Sequence, residues 1–209
     1  MNYTELCTAV QDTLENTFEA DDLARFARLV EKKIFQVVQP PVLRRNQTGT
    51  VSQGVQYLSL PNGFLFPYSL AVVLADGRYE FLLNKDVNYV REVYPYPATT
   101  GQPKVYALFD ENTALLGPTP NAPYTVEMHF AAYPPSIVDA GTSWLGENFD
   151  PALFNGMLVE AARFMKLDAD LITQHDAAFK ASMAELKQLA DGKLRQDAYR
   201  SGQFRQPVQ

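Results

Sequence analysis

The stretch SLAVVLADGRYEFLL, residues 69–83, reads as two short β-strands around a turn. Val, Leu, Tyr and Phe crowd both halves, and Asp76-Gly77 sits between them. That dipeptide predicts a type I′ hairpin turn, which needs positive φ at both central residues. Period-two patterning extends outward from this hairpin. Val55, Tyr57 and Ser59 alternate with Gln56, Leu58 and Leu60 up to the turn at Pro61-Asn62-Gly63. Asn84 is placed to cap a short helix over residues 86–93, with Val87 and Val90 inward. Strands over 104–109 and 113–116 follow, joined by Asp110-Glu111-Asn112, and Gly117-Pro118-Thr119-Pro120 makes a rigid break. Residues 124–133 then alternate, with Thr125, Glu127 and His129 on one face and Val126, Met128 and Phe130 on the other.

Helical periodicity flanks this region on both sides. Asn2 and Glu5 have capping-box spacing ahead of Leu6, Val10 and Leu14. A second helix starts near residues 20–22, carries Leu23, Phe26, Ala27, Val30 and Ile34 on one face, and stops at Pro40-Pro41. Residues 42–53 are polar and read as a linker or extended arm. Beyond Pro134-Pro135 the chain returns to helix. Asp150 is placed as an N-cap with Pro151 in the first turn, before a broad stripe from Leu153 to Met165. A last helix is expected over 170–191, with Phe179, Met183, Leu186 and Leu189 inward and Gly192 past its end.

The expected fold is therefore α+β. The N- and C-terminal helix pairs (residues 1–41 and 137–192) form a four-helix bundle. A mainly antiparallel β domain (42–136) is inserted between them, and an extended tail (193–209) follows.

The chain has 209 residues, 46% hydrophobic, 12% aromatic and 20% charged, which describes a folded protein rather than a disordered one. Eighteen Lys and Arg stand against 24 Asp and Glu, a net charge of −6. That balance argues against nucleic-acid binding driven by overall charge. One cysteine, Cys7, excludes an intrachain disulfide framework and a Cys-rich zinc site. The first residues lack the basic start and apolar run of a secretory signal. The longest apolar stretch, broken by Pro67, falls short of the ~20 residues of a membrane helix. The expectation is a soluble protein of a reducing compartment, in which the sequon at Asn46 has no role.

Candidate chemistry is thin. Glu127 and His129 share a strand face and admit a hydrolase reading, but a cross-strand surface pair explains them as well. Asp168 and Asp170 fit a polar loop between helices better than a metal site. His175 fits a helix surface, and Cys7 a small apolar packing group. No G-x-S-x-G, P-loop or G-x-G-x-x-G is present. No catalytic residue, metal or cofactor is expected.

The charge map says more. Residues 1–23 hold six acids and no base. The tail carries Lys193, Arg195, Arg200 and Arg205 against Asp197 alone, interleaved with Tyr199 and Phe204. A basic, aromatic segment on an acidic body has the composition of a docking element.

The order of motifs resembles the head-to-tail adaptor (connector) proteins of tailed bacteriophages, related to tail tubular protein A. Tyr57-Leu58-Ser59-Leu60-Pro61 is similar to that family's strand ending in Leu-Pro. Gly101-Gln102-Pro103-Lys104-Val105-Tyr106 is similar to its Gly-x-Pro-x-x-Tyr strand start. Leu115-Leu116-Gly117-Pro118-Thr119-Pro120 is similar to its Leu-x-x-Pro-x-Pro strand exit. Thr142-Ser143-Trp144-Leu145 and the helix after it are similar to the segment closing its core. Arg44-Arg45 departs from the pattern, since the family often spreads Arg along its second helix.

The resemblance implies a structural virion protein of the neck, assembled in the host cytoplasm. Its expected state is a dodecameric ring under the portal that extends the DNA channel. Expected partners are copies of itself, the portal protein, a tail or nozzle protein, and genomic DNA passing through without specific binding. No membrane is involved. The candidate portal-binding residues are Arg195, Tyr199, Arg200, Phe204 and Arg205. Asp76, Gly77 and Arg78 are the candidates for tail-protein binding. Glu5, Asp12, Glu15 and Glu19, with Asp21 and Asp22, are the candidates for lining the channel. Other readings are a different phage tail or nozzle component, a cytoplasmic hydrolase or a ligand-binding regulator.

Overall fold

The structure, a computed structural model, describes the backbone of residues 1–195 and the side chains of 1–190. In chain order, α1 (Tyr3–Leu14) and α2 (Ala20–Val37) lead through a short 3-10 turn (Pro41–Leu43) to β1 (Arg44–Val51). Next come β2 (Tyr57–Ser59), β3 (Phe64–Val73), β4 (Tyr79–Phe81), β5 (Leu83–Asn84) and α3 (Val87–Val93). β6 (Thr100–Gly101), β7 (Val105–Asp110), β8 (Thr113–Gly117), β9 (Thr119–Pro120) and β10 (Tyr124–Ala132) follow. The chain ends in α4 (Ile137–Ala140), α5 (Trp144–Asn148), α6 (Asp150–Phe164) and α7 (Ala169–Arg195). Two compact units result: residues 1–42 with the chain from Pro134 onward, and Leu43–Tyr133.

In the helical unit, α1 begins as expected. The Asn2 side chain accepts from the Glu5 N–H, and the Glu5 carboxylate accepts from the Asn2 N–H, each at 2.9 Å. Two of the N–H groups that a helix start leaves unpaired are thereby satisfied. α2 buries Leu23, Phe26, Ala27, Val30 and Ile34, the stripe read from its spacing.

α6 is the centre of this unit. It packs against α1, α2, α5 and α7, and so it is buried around most of its circumference, from Ala152 and Leu153 to Ala161 and Ala162. The N- and C-terminal helices thus pack together, gathered on α6. At Gly156 both α2 and α7 press close on α6. A Cβ there would stand 2.4 Å from Val30 Cγ1 and 3.0 Å from a Phe179 ring carbon. An ion ladder follows the same seam: Lys33 to Glu160 at 2.6 Å, Glu160 to Arg163 at 3.2 Å, Arg163 to Asp176 at 3.4 Å, and Asp176 to Lys180 at 2.7 Å. Pairs that reach solvent contribute about 0–1 kcal/mol each, and only Glu160 in this ladder is largely covered, so the apolar contact on α6 dominates.

Two helix boundaries differ from expectation. Asp150 is the first residue of α6, and Phe149, which makes no side-chain cap, precedes it. The acid serves the helix dipole without capping the helix. α7 continues through Gly192 to Arg195. An internal glycine costs only about 1 kcal/mol relative to alanine, and Lys193, Leu194 and Arg195 after it are strong helix formers.

In the β unit, one four-stranded sheet has the order β1-β10-β3-β4, all antiparallel. A second has the order β2-β8-β7-β5, in which only β5 and β7 run parallel. β6 and β9 form a small parallel pair. Leu70, Val72, Val126, Met128 and Phe130 of the first sheet join Tyr106, Ala114 and Leu116 of the second in one core. On the other side of the second sheet, α3 lays Val90 over Val105, Ala107 and Leu115. The alternation along β7 and β8 is what lets each of these strands serve two layers, the first sheet on one side and α3 on the other.

Four expectations for this unit are corrected. The polar arm at 42–53 contains an eight-residue strand, β1, paired with β10 from Arg44↔Ala131 to Val51↔Tyr124. It lies at a sheet edge with its side chains mostly exposed, so apolar alternation is missing although the backbone is fully extended. The hairpin turn is not type I′, because only Gly77 has positive φ, at 81°. The Gly77 N–H donates to Leu74 O and the Leu74 N–H to Arg78 O, each at 2.9 Å, which closes a three-residue loop with glycine in the left-handed position. Asp86, not Asn84, caps α3, accepting from the Asn88 N–H at 2.8 Å. The Gly117–Pro120 break carries β9, whose Thr119 pairs with Thr100.

Among the described residues, Glu31 is the buried carboxylate of the helical unit, 5% exposed. It accepts from the Ser136 hydroxyl at 2.6 Å and the Ile137 N–H at 2.9 Å, joining α2 to the start of α4. Burial pushes its carboxyl above the ordinary 4.5, against the lowering effect of these two bonds.

Two predictions follow from these contacts. Gly156→Ala destabilises the helical unit by about 1–3 kcal/mol through overpacking, read as a lower denaturant midpoint at unchanged slope. For Glu31, a raised folded-state pKa means a contribution that is present below the unfolded value and lost as pH rises through the folded one. Glu31→Gln keeps an acceptor for Ile137 and a donor for Ser136. Its stability relative to the parent therefore rises between pH 4.5 and pH 7, whereas Glu31→Ala, which leaves donors unpaired, is less stable at both. Denaturant titrations at the two pH values measure both effects.

Candidate functional site

The loop between β3 and β4 is exposed at Asp76, Gly77 and Arg78. The Asp76 carboxylate accepts from the Arg78 N–H at 3.0 Å, which fixes the loop from within. The Arg78 guanidinium lies 3.5 Å from Glu80. A charged tip of this kind can recognise a surface.

The outward face of the first sheet is built from alternate residues of β10, β3, β4 and β1. His129 lies against Tyr68, with ring centres 5.1 Å apart, and the Arg44 guanidinium covers the same Tyr68 at 5.0 Å. Glu127 accepts from the Tyr79 hydroxyl at 3.2 Å, and this bond holds the Tyr79 phenol above its ordinary range. Burial first, and then the Arg44 charge, push the His129 imidazole down. Glu127 and His129 thus share a face, as their spacing suggests, but each is engaged with a different aromatic partner. Tyr79 and Phe81 beside them are 48% and 67% exposed. Sequence reasoning used these aromatics only as strand formers. The signal that could have singled them out is the pair Tyr79 and Phe81 at alternate positions, large aromatics on a short strand that ends a sheet.

Glu5, Asp12, Glu15 and Glu19 are all exposed, on α1 and in the loop after it. Glu5 is committed to the capping box. Glu15 takes a left-handed conformation, φ 49°, that ends α1. Asp21 and Asp22 lie in the first turn of α2, and Asp22 holds Arg25 at 2.7 Å. Glu15, Glu19, Asp21 and Asp22 thus lie around the α1–α2 turn, whereas Glu5 stands at the opposite end of α1. The candidate portal-binding residues Tyr199, Arg200, Phe204 and Arg205 lie outside the described residues, as does the side chain of Arg195.

Two cavities open in the β unit. One of about 280 Å³ lies between the edges of β1 and β2, lined by residues such as Gln47, Gly49, Leu60 and Met128. The other, of about 260 Å³, lies beside α3 with Gln56, Arg91, Tyr94 and Thr119. Neither lining contains a histidine, a cysteine or a carboxylate. Among the described residues no three His, Cys, Asp or Glu side chains cluster to hold a metal. No described helix is long and apolar enough to cross a membrane. Burial pushes the Cys7 thiol up, away from the reactive thiolate, and its partner Tyr3 is pushed up to about 12.

The protein-family model described as "SU10 adaptor protein" matches residues 1–206. No curated protein matches the chain.

Proposed function

The chain belongs to the SU10 adaptor protein family, phage head-to-tail adaptors, and from that premise we propose that it forms a ring under the portal of a tailed phage. The match over residues 1–206 is the observation that carries this reading. In it, the four long terminal helices make the bundle that surrounds the axis, and the β unit faces the next tail or nozzle protein. Twelve copies at −6 each would total about −72. An acidic wall, with Glu5, Asp12, Glu15 and Glu19 toward the lumen, repels the DNA backbone and lets it slide. The virion neck is the proposed location, reached after assembly in the host cytoplasm.

The tail is the proposed portal anchor. Its cations and its aromatics Tyr199 and Phe204 have the composition of interface hot spots. The loop at Asp76, Gly77 and Arg78 is the proposed contact for the next tail protein, because it is exposed, charged and internally fixed.

Two experiments separate these surfaces. Deleting residues 196–209, with Arg195→Ala, leaves every described element in place and abolishes attachment to portal-containing heads in a sedimentation assay. Retained attachment contradicts the anchor. Asp76→Ala with Arg78→Ala blocks joining of the next tail protein while portal docking continues. The opposite pattern would reverse the assignment of the two surfaces.

A further inference from the structure

The first sheet of the β unit has two unlike edges, β1 and β4. Each strand in the order β1-β10-β3-β4 runs antiparallel to its neighbour, so β1 and β4 point in opposite directions. If β4 of one copy met β1 of the next, the sheet would continue without a break in its alternation. The backbone of β4 is poised for this. The Leu74 N–H bonds Arg78 O and the Leu82 N–H bonds Leu70 O, so Val72 and Glu80 are also a hydrogen-bonded pair with β3. Tyr79 and Phe81 therefore turn their N–H and C=O groups toward the open edge.

The side chains choose a register. Glu80 lies opposite Val72, and Val72 opposite Val126, on the core-facing side of the sheet. Arg45 lies opposite Phe130 on that same side, at the other edge. The single acid of β4 and one of the two bases of β1 thus share a face. Setting Glu80 against the neighbour's Arg45 places Phe81 against Arg44 and Tyr79 against Asn46. Phe81, 67% exposed, then offers its ring to a guanidinium. Arg44 already covers its own Tyr68 on that outer face. Glu80 already has Arg78 at 3.5 Å and the Gln102 amide at 2.5 Å, so Arg45 joins an existing polar cluster.

We propose that copies of this chain join by edge-to-edge strand pairing, β4 of one against β1 of the next, with Glu80 facing Arg45 and Phe81 facing Arg44. The two edges are different surfaces, so the contact is head-to-tail and closes into a ring when the rotation allows. This deepens the ring reading and rests on it. It also accounts for a long edge strand with charges at only one end, which in a lone molecule would invite aggregation.

The test uses the full-length chain with Cys7→Ser, Glu80→Cys and Arg45→Cys, oxidised with oxidised glutathione. Glu80 and Arg45 would face each other as a non-hydrogen-bonded pair, about 4.5 Å apart at Cα, within disulfide range. The expected result on a non-reducing gel is a ladder of covalent multimers beyond the dimer, collapsed by reductant. Each single-cysteine control stops at the dimer. In a parallel series without cysteines, Glu80→Arg or Arg45→Glu alone weakens self-association about fivefold per interface, and the two together restore it. Light scattering on the wild-type chain keeps the two failures apart. A multimer without a ladder overturns the strand pairing and leaves the ring. A monomer without a ladder overturns the pairing and withdraws support for self-assembly. Failure of the double charge swap to restore association also overturns the register.

Discussion

The close approach of α2 and α7 to α6 at Gly156 is the constraint on which the helical unit depends. A side chain at that point would overlap Val30 and press on Phe179. With glycine there, two helices far apart in sequence rest on a third. The apolar surface they bury outweighs the ion ladder from Lys33 to Lys180. The buried Glu31 then sets α4 against α2 through two directed hydrogen bonds. Apolar contact holds these helices together, and polar contacts such as those of Glu31 fix their register.

The β unit solves a different problem. Its first sheet packs one face on the second sheet and leaves much of the other exposed, although β3 stays apolar along most of its length. The second sheet is covered on both sides, by the first sheet and by α3. Two surfaces remain after this packing: the outward face with Tyr68, His129 and Glu127, and the sheet edges. Both are open to partners, in keeping with membership of the adaptor family.

Most of this architecture was legible wherever the controlling interaction is local. The Asn2–Glu5 box, the α2 stripe and the Val126-Met128-Phe130 face each follow from a few neighbouring residues. The losses have physical causes. β1 is wet on both faces, so no alternation marks it. A turn at Asp76-Gly77 fits two loop types whose difference lies in φ at Asp76, which composition cannot fix. Asp86 rather than Asn84 caps α3 because the helix begins two residues later than the cap reading allowed. The importance of Gly156 could not be seen, because it comes from helices over a hundred residues apart in the chain. Among the candidate site residues, Asp76, Gly77 and Arg78 were correctly read as lying at a hairpin tip. Glu80 and Arg45 escaped notice, since only the strand register places them on one face.

The central claim is that this chain acts through its shape in a closed assembly of identical copies. Electron-microscope images of the protein mixed with the proposed partner, a phage portal, averaged without imposed symmetry, test it most directly. The account predicts a ring of repeated subunits around the portal axis, twelve in number, with the β unit of each beside that of its neighbour. A solitary copy off the axis, or density with no rotational repeat, would contradict it.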